Sequence, residues 1–279
     1  MRSRRQAVLL LLPALAVLAG LFLLPQALML AASLWQRSPY GGLVREWTLA
    51  NYVRAIEPLY VFILARSFAL AFVTTLLCLA VGWPVAYWLG LRVPRRWRNA
   101  LLVLVILPFW TSLLVRMYAW IFLLRQEGLV NLALGAFGVP PLPLLYNDFA
   151  VLVGQVYGEL PFMILPLYAS IEKLDPSLLE AAADLGATPA RRLWRVTLPL
   201  TAPGTAAGCL LVFIPSLGAF LAPDLLGGGR TIYVGNLVQG QFAVARDMPF
   251  GAAVSFLLTL TVLALLWLFR RPLRAAREA

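Results

Sequence analysis

The sequence predicts an all-α membrane protein with six transmembrane helices. Hydrophobic residues make up 62% of its 279 residues, charged residues make up 13%, and the mean hydropathy is +0.84. Soluble domains are about half apolar and about a quarter charged. A transmembrane helix needs about 20 apolar residues. We therefore interpret residues 1–279 as a single transmembrane domain, with spans at roughly 7–34, 60–90, 100–124, 149–171, 200–223 and 251–269.

The first apolar run follows Arg2, Arg4 and Arg5 and could be mistaken for a signal peptide. It is about twice as long as the apolar region of a signal peptide, and no clear cleavage site follows it. We interpret this run as the first span.

Helix-breaking residues lie inside the second and fifth predicted spans. In lipid, such breaks survive where neighbouring helices or a water-lined path satisfy the freed backbone groups. We infer a packed bundle with a route through it from Gly82, Pro84, Gly204, Gly208, Pro215 and Gly218.

The basic residues predict the orientation of the chain. Of 23 lysines and arginines, 15 fall on one side of the predicted spans: Arg2, Arg4, Arg5, Arg92, Arg95, Arg96, Arg98, Lys173, Arg191, Arg192, Arg195, Arg270, Arg271, Arg274 and Arg277. The positive-inside rule places both termini and the loop at 173–199 in the cytoplasm. The positive-inside rule accounts for basic residues that flank transmembrane helices. The net charge of +11 is therefore a poor argument for nucleic-acid binding.

The sequence lacks the residues that ATP hydrolysis or metal binding would need. It has no histidine, and Cys78 and Cys209 lie in apolar runs, where cysteine is usually a small buried side chain. No GxxxxGK[ST] phosphate loop occurs, and Lys173 is the only lysine. We interpret the three glycines at 227–229 as a turn or hinge. We expect no metal site, no cofactor and no ATPase site in this chain.

The polar loop at 173–199 has the residue order of two short helices. Asp175 can cap a helix start with Pro176 at its first position, and Gly186 can end that helix in the left-handed conformation. Thr188 then opens a second short helix. Small alanines on the first helix would let another protein approach closely. The alternative is a solvated connector that only joins two spans.

The spacing inside this loop resembles the EAA motif of ATP-binding-cassette (ABC) importer permeases, E-A-A-x3-G-x9-I-x-L-P. Valine at 196 replaces the usual isoleucine, and the matching residues are Glu180, Ala181, Ala182, Gly186, Leu198 and Pro199. Other segments resemble the spermidine/putrescine (PotB- or PotH-like) permease subfamily: WPVAY at 83–87, LPFWTS at 107–112, RMYAW at 116–120, GLVN at 128–131, LPFM at 160–163, PDLLGG at 223–228, GN at 235–236 and PFGAA at 249–253.

This resemblance implies a six-helix, type I (MetI-like) permease subunit in the bacterial inner membrane. It implies a second, PotC-like permease, a dimer of a separate ABC ATPase that binds ATP and Mg, and a periplasmic solute-binding protein. The EAA segment would be the cytoplasmic coupling helix that sits in a cleft of the ATPase. The implied substrate is a polyamine, although similar permeases handle opines, other amines and iron(III).

Two ionisable residues inside predicted spans are candidates for the substrate pathway, because charges in a bilayer are costly and usually functional. Arg116 and Glu159 fall at similar depths, so they could form an ion pair that fixes the helix register, or Glu159 could attract a cationic substrate. An aromatic wall for ammonium groups could consist of Trp110, Tyr118, Trp120 and Tyr157. Each of these aromatic side chains could instead pack within the bundle or belong to the belt of aromatic residues at a membrane–water interface.

Asp224 lies at the outer end of the fifth predicted span. It could contact the binding protein, cap a helix or meet substrate at the entrance.

The sequence fits two other protein classes poorly. A membrane-embedded enzyme would need a nucleophile and base, or paired acids, at one depth, and the predicted spans hold one well-buried carboxylate and no histidine. An ATP-independent secondary transporter often has internal repeats, and the sequence contains no convincing repeat.

Overall fold

The structure, a computed structural model, describes residues 2–38 and 42–278, and the side chains of 11–38 and 42–267. The side chains of the terminal arginines used for the orientation lie outside the described residues: Arg2, Arg4, Arg5, Arg270, Arg271, Arg274 and Arg277. In the part that is described, the chain is almost entirely helical.

The N-terminal part contains one long helix and a small hairpin before the second long helix. Its elements are α1 (Arg2–Ser33), the antiparallel strands β1 (Gln36–Arg37) and β2 (Leu43–Val44), α2 (Ala50–Ala55), α3 (Pro58–Tyr87) and the π-helix π1 (Trp88–Arg92). The short helix α2 thus precedes the second long helix. Pro84 lies inside α3, which continues through it.

The next apolar segment is sharply bent. Helix α4 (Arg95–Ile106) ends in a 3₁₀ turn (Leu107–Trp110), and α5 (Leu113–Leu124) and α6 (Leu129–Gly135) follow. The two halves meet at 91°. Thr111 and Ser112 have extended backbone between them, and the Thr111 hydroxyl donates to the Pro108 carbonyl at 2.7 Å. The run predicted at 100–124 is therefore two helices.

The remaining elements are helical: α7 (Asp148–Ile171), α8 (Pro176–Asp184), α9 (Pro189–Arg192), the π-helix π2 (Leu193–Thr197), α10 (Leu198–Leu200), α11 (Ala202–Gly218), α12 (Leu221–Gly227), α13 (Val234–Ala243) and α14 (Met248–Glu278). The segment Pro189–Leu200 meets α11 at 68°. Among the described residues, four helices are long and apolar enough to cross a membrane, and six spans result if each of the two bent pairs counts as one.

The chain divides into two compact units, Met1–Phe62 with Leu237–Ala264 and Ile63–Asn236 with Leu265–Ala279. In the second unit, α7 is the central helix, because it packs along α11 and also contacts α5, α12 and π1. Met163, Leu167 and Ile171 on α7 are fully buried. Glycines let the neighbouring helices approach closely: Gly208 faces Met163, and Gly204 faces Pro166 and Ser170.

The first unit is held together at the start of α14 by a buried carboxylate. The side chain of Asp247 is 1% exposed and accepts from Arg54 Nη1 at 2.9 Å. Arg54 also donates to the Tyr60 hydroxyl at 3.0 Å and lies 4.0 Å from the ring centre of Phe250. Although burial disfavours the charged guanidinium, these hydrogen bonds raise the pKa of Arg54 above its ordinary value.

Candidate functional site

The loop predicted to form two short helices begins with a capped helix. The Asp175 side chain accepts from the Ser177 backbone N–H at 3.0 Å, and Pro176 is the first residue of α8. That backbone hydrogen bond holds the pKa of Asp175 below its ordinary value, because it stabilises the carboxylate form. The predicted helix start is confirmed.

Helix α8 ends at a left-handed glycine. Gly186 has φ +78°, its N–H donates to the Ala183 carbonyl at 2.8 Å, and the Ala187 N–H donates to the Ala182 carbonyl at 3.0 Å. These two bonds form a Schellman motif, in which glycine avoids the steric cost of a Cβ in this conformation. The predicted C-cap is confirmed.

The second half of the loop is one bent helical segment. Thr188 caps its start by accepting from the Arg191 N–H at 3.4 Å, and the chain continues through α9, π2 and α10. Leu198 and Pro199 lie at the bend that leads into α11, away from the capped helix α8. Arg192 joins the two halves, because its Nη1 donates to the Leu179 carbonyl at 3.4 Å.

The two faces of α8 differ. Leu178, Ala181 and Leu185 share one exposed face, and Leu185 is 88% exposed. The opposite face, with Pro176, Leu179 and Glu180, borders a cavity. Glu180 therefore turns toward the cavity, while Ala181 lies on the exposed face and Ala182 is half-buried.

Two large apolar side chains of this loop were missed as site residues. Leu185 precedes Gly186 directly, and Trp194, which is 70% exposed, lies between Arg192 and Arg195. An apolar side chain next to a cap or between arginines in a polar loop has little chance of burial within its own chain. That position could have indicated a contact with another protein.

Arg116 and Glu159 are neighbours without a direct ion pair. Arg116 acts electrostatically on Glu159, yet these two described residues form no salt bridge within 4.0 Å. The Arg116 guanidinium lies 5.4 Å from the ring centre of Phe109. Arg116 Nε and Nη1 and Glu159 Oε2 are buried without a hydrogen-bond partner in the described part of the chain. The direct ion pair that could have fixed the helix register is not formed between these two residues.

Glu159 borders a cavity of about 270 Å³ in the second unit. The lining comes from α5, α7 and the junction of α11 and α12, where Ala219 and Phe220 interrupt the helix. Irregular backbone at membrane depth is tolerated where it is buried in protein or lines a water-filled cavity. Gln155, one turn before Glu159 on α7, lines the same cavity and donates to the Ser216 carbonyl at 3.3 Å. Residues four apart lie on the same face of a helix, so the spacing of Gln155 and Glu159 could have identified Gln155 as a neighbour of Glu159 from the sequence.

The predicted aromatic wall is assembled only in part. Trp120 and Tyr157 form an edge-to-face pair with ring centres 5.6 Å apart. Trp110 is 81% exposed and Tyr118 is 54% exposed, and neither has a ring contact among the described aromatic pairs. The pair of Phe109 and Phe162, with ring centres 4.8 Å apart, was not among the predicted residues.

Asp224 lies in the first turn of α12 and is exposed. A carboxylate in the first turn of a helix is favoured by the helix dipole. It does not line the cavity beside Glu159.

Comparison with known proteins identifies the family. Residues 82–272 match the model of the binding-protein-dependent transport system inner membrane component. The chain belongs to this family. It is a multi-pass inner-membrane permease subunit of a binding-protein-dependent ABC importer, and ATP is bound by a partner ATPase. The resemblance to ABC importer permeases is confirmed.

Two relatives are similar over most of the permease. The spermidine/putrescine transport system permease protein PotB of Haemophilus influenzae is 42% identical over 251 residues, which cover 89% of this chain and 87% of the relative. PotB of Escherichia coli K12 is 42% identical over 253 residues, covering 90% of this chain and 92% of the relative.

A bacterial ABC transporter involved in the import of the acidic polysaccharide alginate has a chain with the same fold. The TM-score is 0.76 at 16% identity, covering 98% of this chain and 96% of that chain.

Proposed function

We propose that this permease translocates a linear polyamine such as spermidine or putrescine, delivered by a periplasmic binding protein. The observation that carries the proposal is the 42% identity to permeases named for spermidine and putrescine transport, over about nine-tenths of the chain. The Glu159 cavity supports it, because a carboxylate oxygen without a hydrogen-bond partner suits an ammonium group.

The surroundings of Glu159 favour a cation. Pro215 and Gly218 in the last turn of α11 border the cavity, and the C-terminal end of a helix carries partial negative charge. The positive charge of Arg116, which already acts on Glu159, opposes an ammonium group there. Arg116 is not among the lining residues, and its guanidinium lies against Phe109 instead. The pair of Trp120 and Tyr157, which does not line this cavity, offers aromatic surface for a passing ammonium group elsewhere on α5 and α7.

The loop at 173–199 would couple this movement to ATP hydrolysis. In the proposed assembly, α8 sits in a cleft of one ATPase of a dimer, and a second, PotC-like permease completes the pathway. The exposed face of Leu178, Ala181 and Leu185, together with Trp194, supports this because large apolar side chains at a surface mark contact sites. Both termini and this loop would lie in the cytoplasm, as the loop arginines suggest. Rigid-body motion of α8 would then carry closure of the ATPase dimer to the spans.

The substrate is tested in proteoliposomes that contain the full complex with ATP enclosed. Uptake of labelled spermidine is measured with the binding protein outside, in competition with putrescine, an opine, another amine and iron(III). Competition by polyamines alone supports the proposal. No uptake of spermidine, together with uptake of a labelled opine, another amine or iron(III) by the same complex, would assign the permease to that solute instead.

A further inference from the structure

A second cavity, of about 330 Å³, lies between the end of α3 and the loop at 173–199, on the face of α8 that carries Pro176, Leu179 and Glu180. Its lining includes two arginines, Arg92 from π1 and Arg192 from α9, and one glutamate, Glu180 from α8. Arg192 Nη1 donates to the Leu179 carbonyl at 3.4 Å. In the described part of the chain, neither arginine has a carboxylate within 4.0 Å. Two like charges that share a cavity without an ion pair repel one another, so the cavity favours an anion between them.

The remaining lining suits a phosphate ester with an organic body. Tyr87, Leu91 and Thr197 also line the cavity, and the Thr197 hydroxyl donates to the Arg192 carbonyl at 3.5 Å. Guanidinium groups bind phosphate oxygens through two parallel hydrogen bonds. The Glu180 carboxylate would repel a bare phosphate, but it complements a ligand in which a primary ammonium group lies a few atoms from the phosphate.

The backbone around this cavity is unusual on two sides. Both π-helices of the described chain contribute to its lining, π1 through Leu91 and Arg92 and π2 through Leu193 and Thr197. π-helical turns are rare and are frequent at functional sites. The outer face of α8, with Leu178 and Leu185, points away from the cavity, so the proposed ATPase contact and a ligand in the cavity use different faces.

We propose that this cavity binds a phosphate ester that carries a primary ammonium group, the chemistry of an aminophospholipid headgroup. Arg92 and Arg192 hold the phosphate, and Glu180 accepts from the ammonium group. The position at the ends of two membrane-associated helical segments favours a lipid as the source, since basic pockets at helix ends bind lipid headgroups. The proposal does not depend on which solute the permease carries.

The test uses the purified complex and counts bound lipid by native mass spectrometry. Phosphatidylethanolamine, phosphatidylglycerol and phosphatidylcholine are added separately, and soluble O-phosphoethanolamine and inorganic phosphate serve as lipid-free probes. We expect phosphatidylethanolamine to bind best, and the double variant R92Q/R192Q to weaken its binding by roughly tenfold or more, because each arginine provides a charge-assisted hydrogen bond. The matched control R96Q/R195Q changes the charge of the same two loops equally, at exposed residues outside the cavity.

Each outcome decides the proposal. Equal weakening in the control would overturn it, because attraction would then come from net charge. Equal retention of all three lipids by the unmodified complex would also overturn it. Binding of soluble O-phosphoethanolamine with the same arginine dependence upholds the site and assigns a soluble source. The readout uses neither transport nor ATP hydrolysis, so a failed polyamine assay leaves this test unaffected.

Discussion

The Ala187 backbone N–H donates to the Ala182 carbonyl at 3.0 Å, and this bond closes the end of α8 over Gly186. The bond requires the left-handed backbone of Gly186, with φ +78°. Open space surrounds that glycine, since no neighbouring atom would lie within 4 Å of an added Cβ. The backbone conformation, rather than crowding, therefore favours glycine here, and the direction in which the chain leaves α8 depends on it.

Replacement of Gly186 by valine should disturb the loop at 173–199, whereas asparagine should be tolerated. An L-residue in the left-handed region costs about 1–2 kcal/mol, and asparagine visits that region more readily than other residues. We expect Gly186→Val to reduce ATPase co-purification and transport together, with Gly186→Asn near the level of the unmodified protein. Equal behaviour of the two variants would show that backbone conformation at Gly186 does not position the loop.

Removal of the Glu159 charge should weaken polyamine transport without loss of assembly. Glu159→Gln keeps the shape of the side chain but removes the acceptor charge beside the cavity. A charged hydrogen bond contributes about 1.5–3 kcal/mol, so transport should fall about tenfold or more. Uptake into proteoliposomes and co-purification of the partner subunits are measured in parallel. Glu127→Gln, at an exposed residue outside this cavity, is the matched control. Unchanged uptake kinetics in Glu159→Gln would remove Glu159 from the pathway.

The ends of α8 could be predicted from sequence because they depend on local chemistry. Asp175 reaches a backbone N–H two residues away, and Gly186 needs only its own backbone freedom. The separation of Arg116 from Glu159 could not be predicted, because it depends on the side-chain position that Arg116 takes against Phe109. Similar depth in a membrane allows an ion pair but does not select the rotamers that form one.

The bend after Trp110 could not be predicted from the amino-acid composition of this apolar run. Apolar content predicts the length of a span, and proline alone does not locate a break, since Pro161 and Pro166 both lie inside the continuous helix α7. The exposed positions of Trp110 and Tyr118 follow from this bend and from the packing of α5, neither of which is encoded by local periodicity.

The close approach of α11 to α7 should make Gly204 intolerant of a methyl group. An added Cβ would collide with the Ser170 Cβ and lie 2.8 Å from the Pro166 carbonyl oxygen, and a backbone atom cannot move aside cheaply. Overpacking costs about 1–3 kcal/mol. We expect Gly204→Ala to lower the thermal stability of the purified complex. Gly240→Ala, in α13 with no atom within 4 Å of the added Cβ, should leave it unchanged. The same stability for both variants would contradict the packing of these helices.

The buried carboxylate of Asp247 should stabilise the first unit through Arg54. Asp247 Oδ1 also accepts from the Phe250 N–H at 3.3 Å, so it caps α14 while Oδ2 holds the guanidinium. Asp247→Asn can keep the cap but removes the charge. Because the Arg54 side chain is 40% exposed, solvent screens part of the pair, and we expect a loss of about 1–2 kcal/mol in the free energy of unfolding.

A double-mutant cycle of Asp247→Asn and Arg54→Gln isolates this pair, with unfolding in denaturing detergent as the measurement. The pair should show a coupling free energy of about 1 kcal/mol or more, because the two groups share a direct hydrogen bond. Glu46→Gln, at an exposed residue of the same unit, controls for the change in net charge. Additive effects of the two substitutions would mean that Asp247 stabilises the unit as the cap of α14 and through Arg37, 3.8 Å away, and that Arg54 is held by Tyr60 and the Phe250 ring.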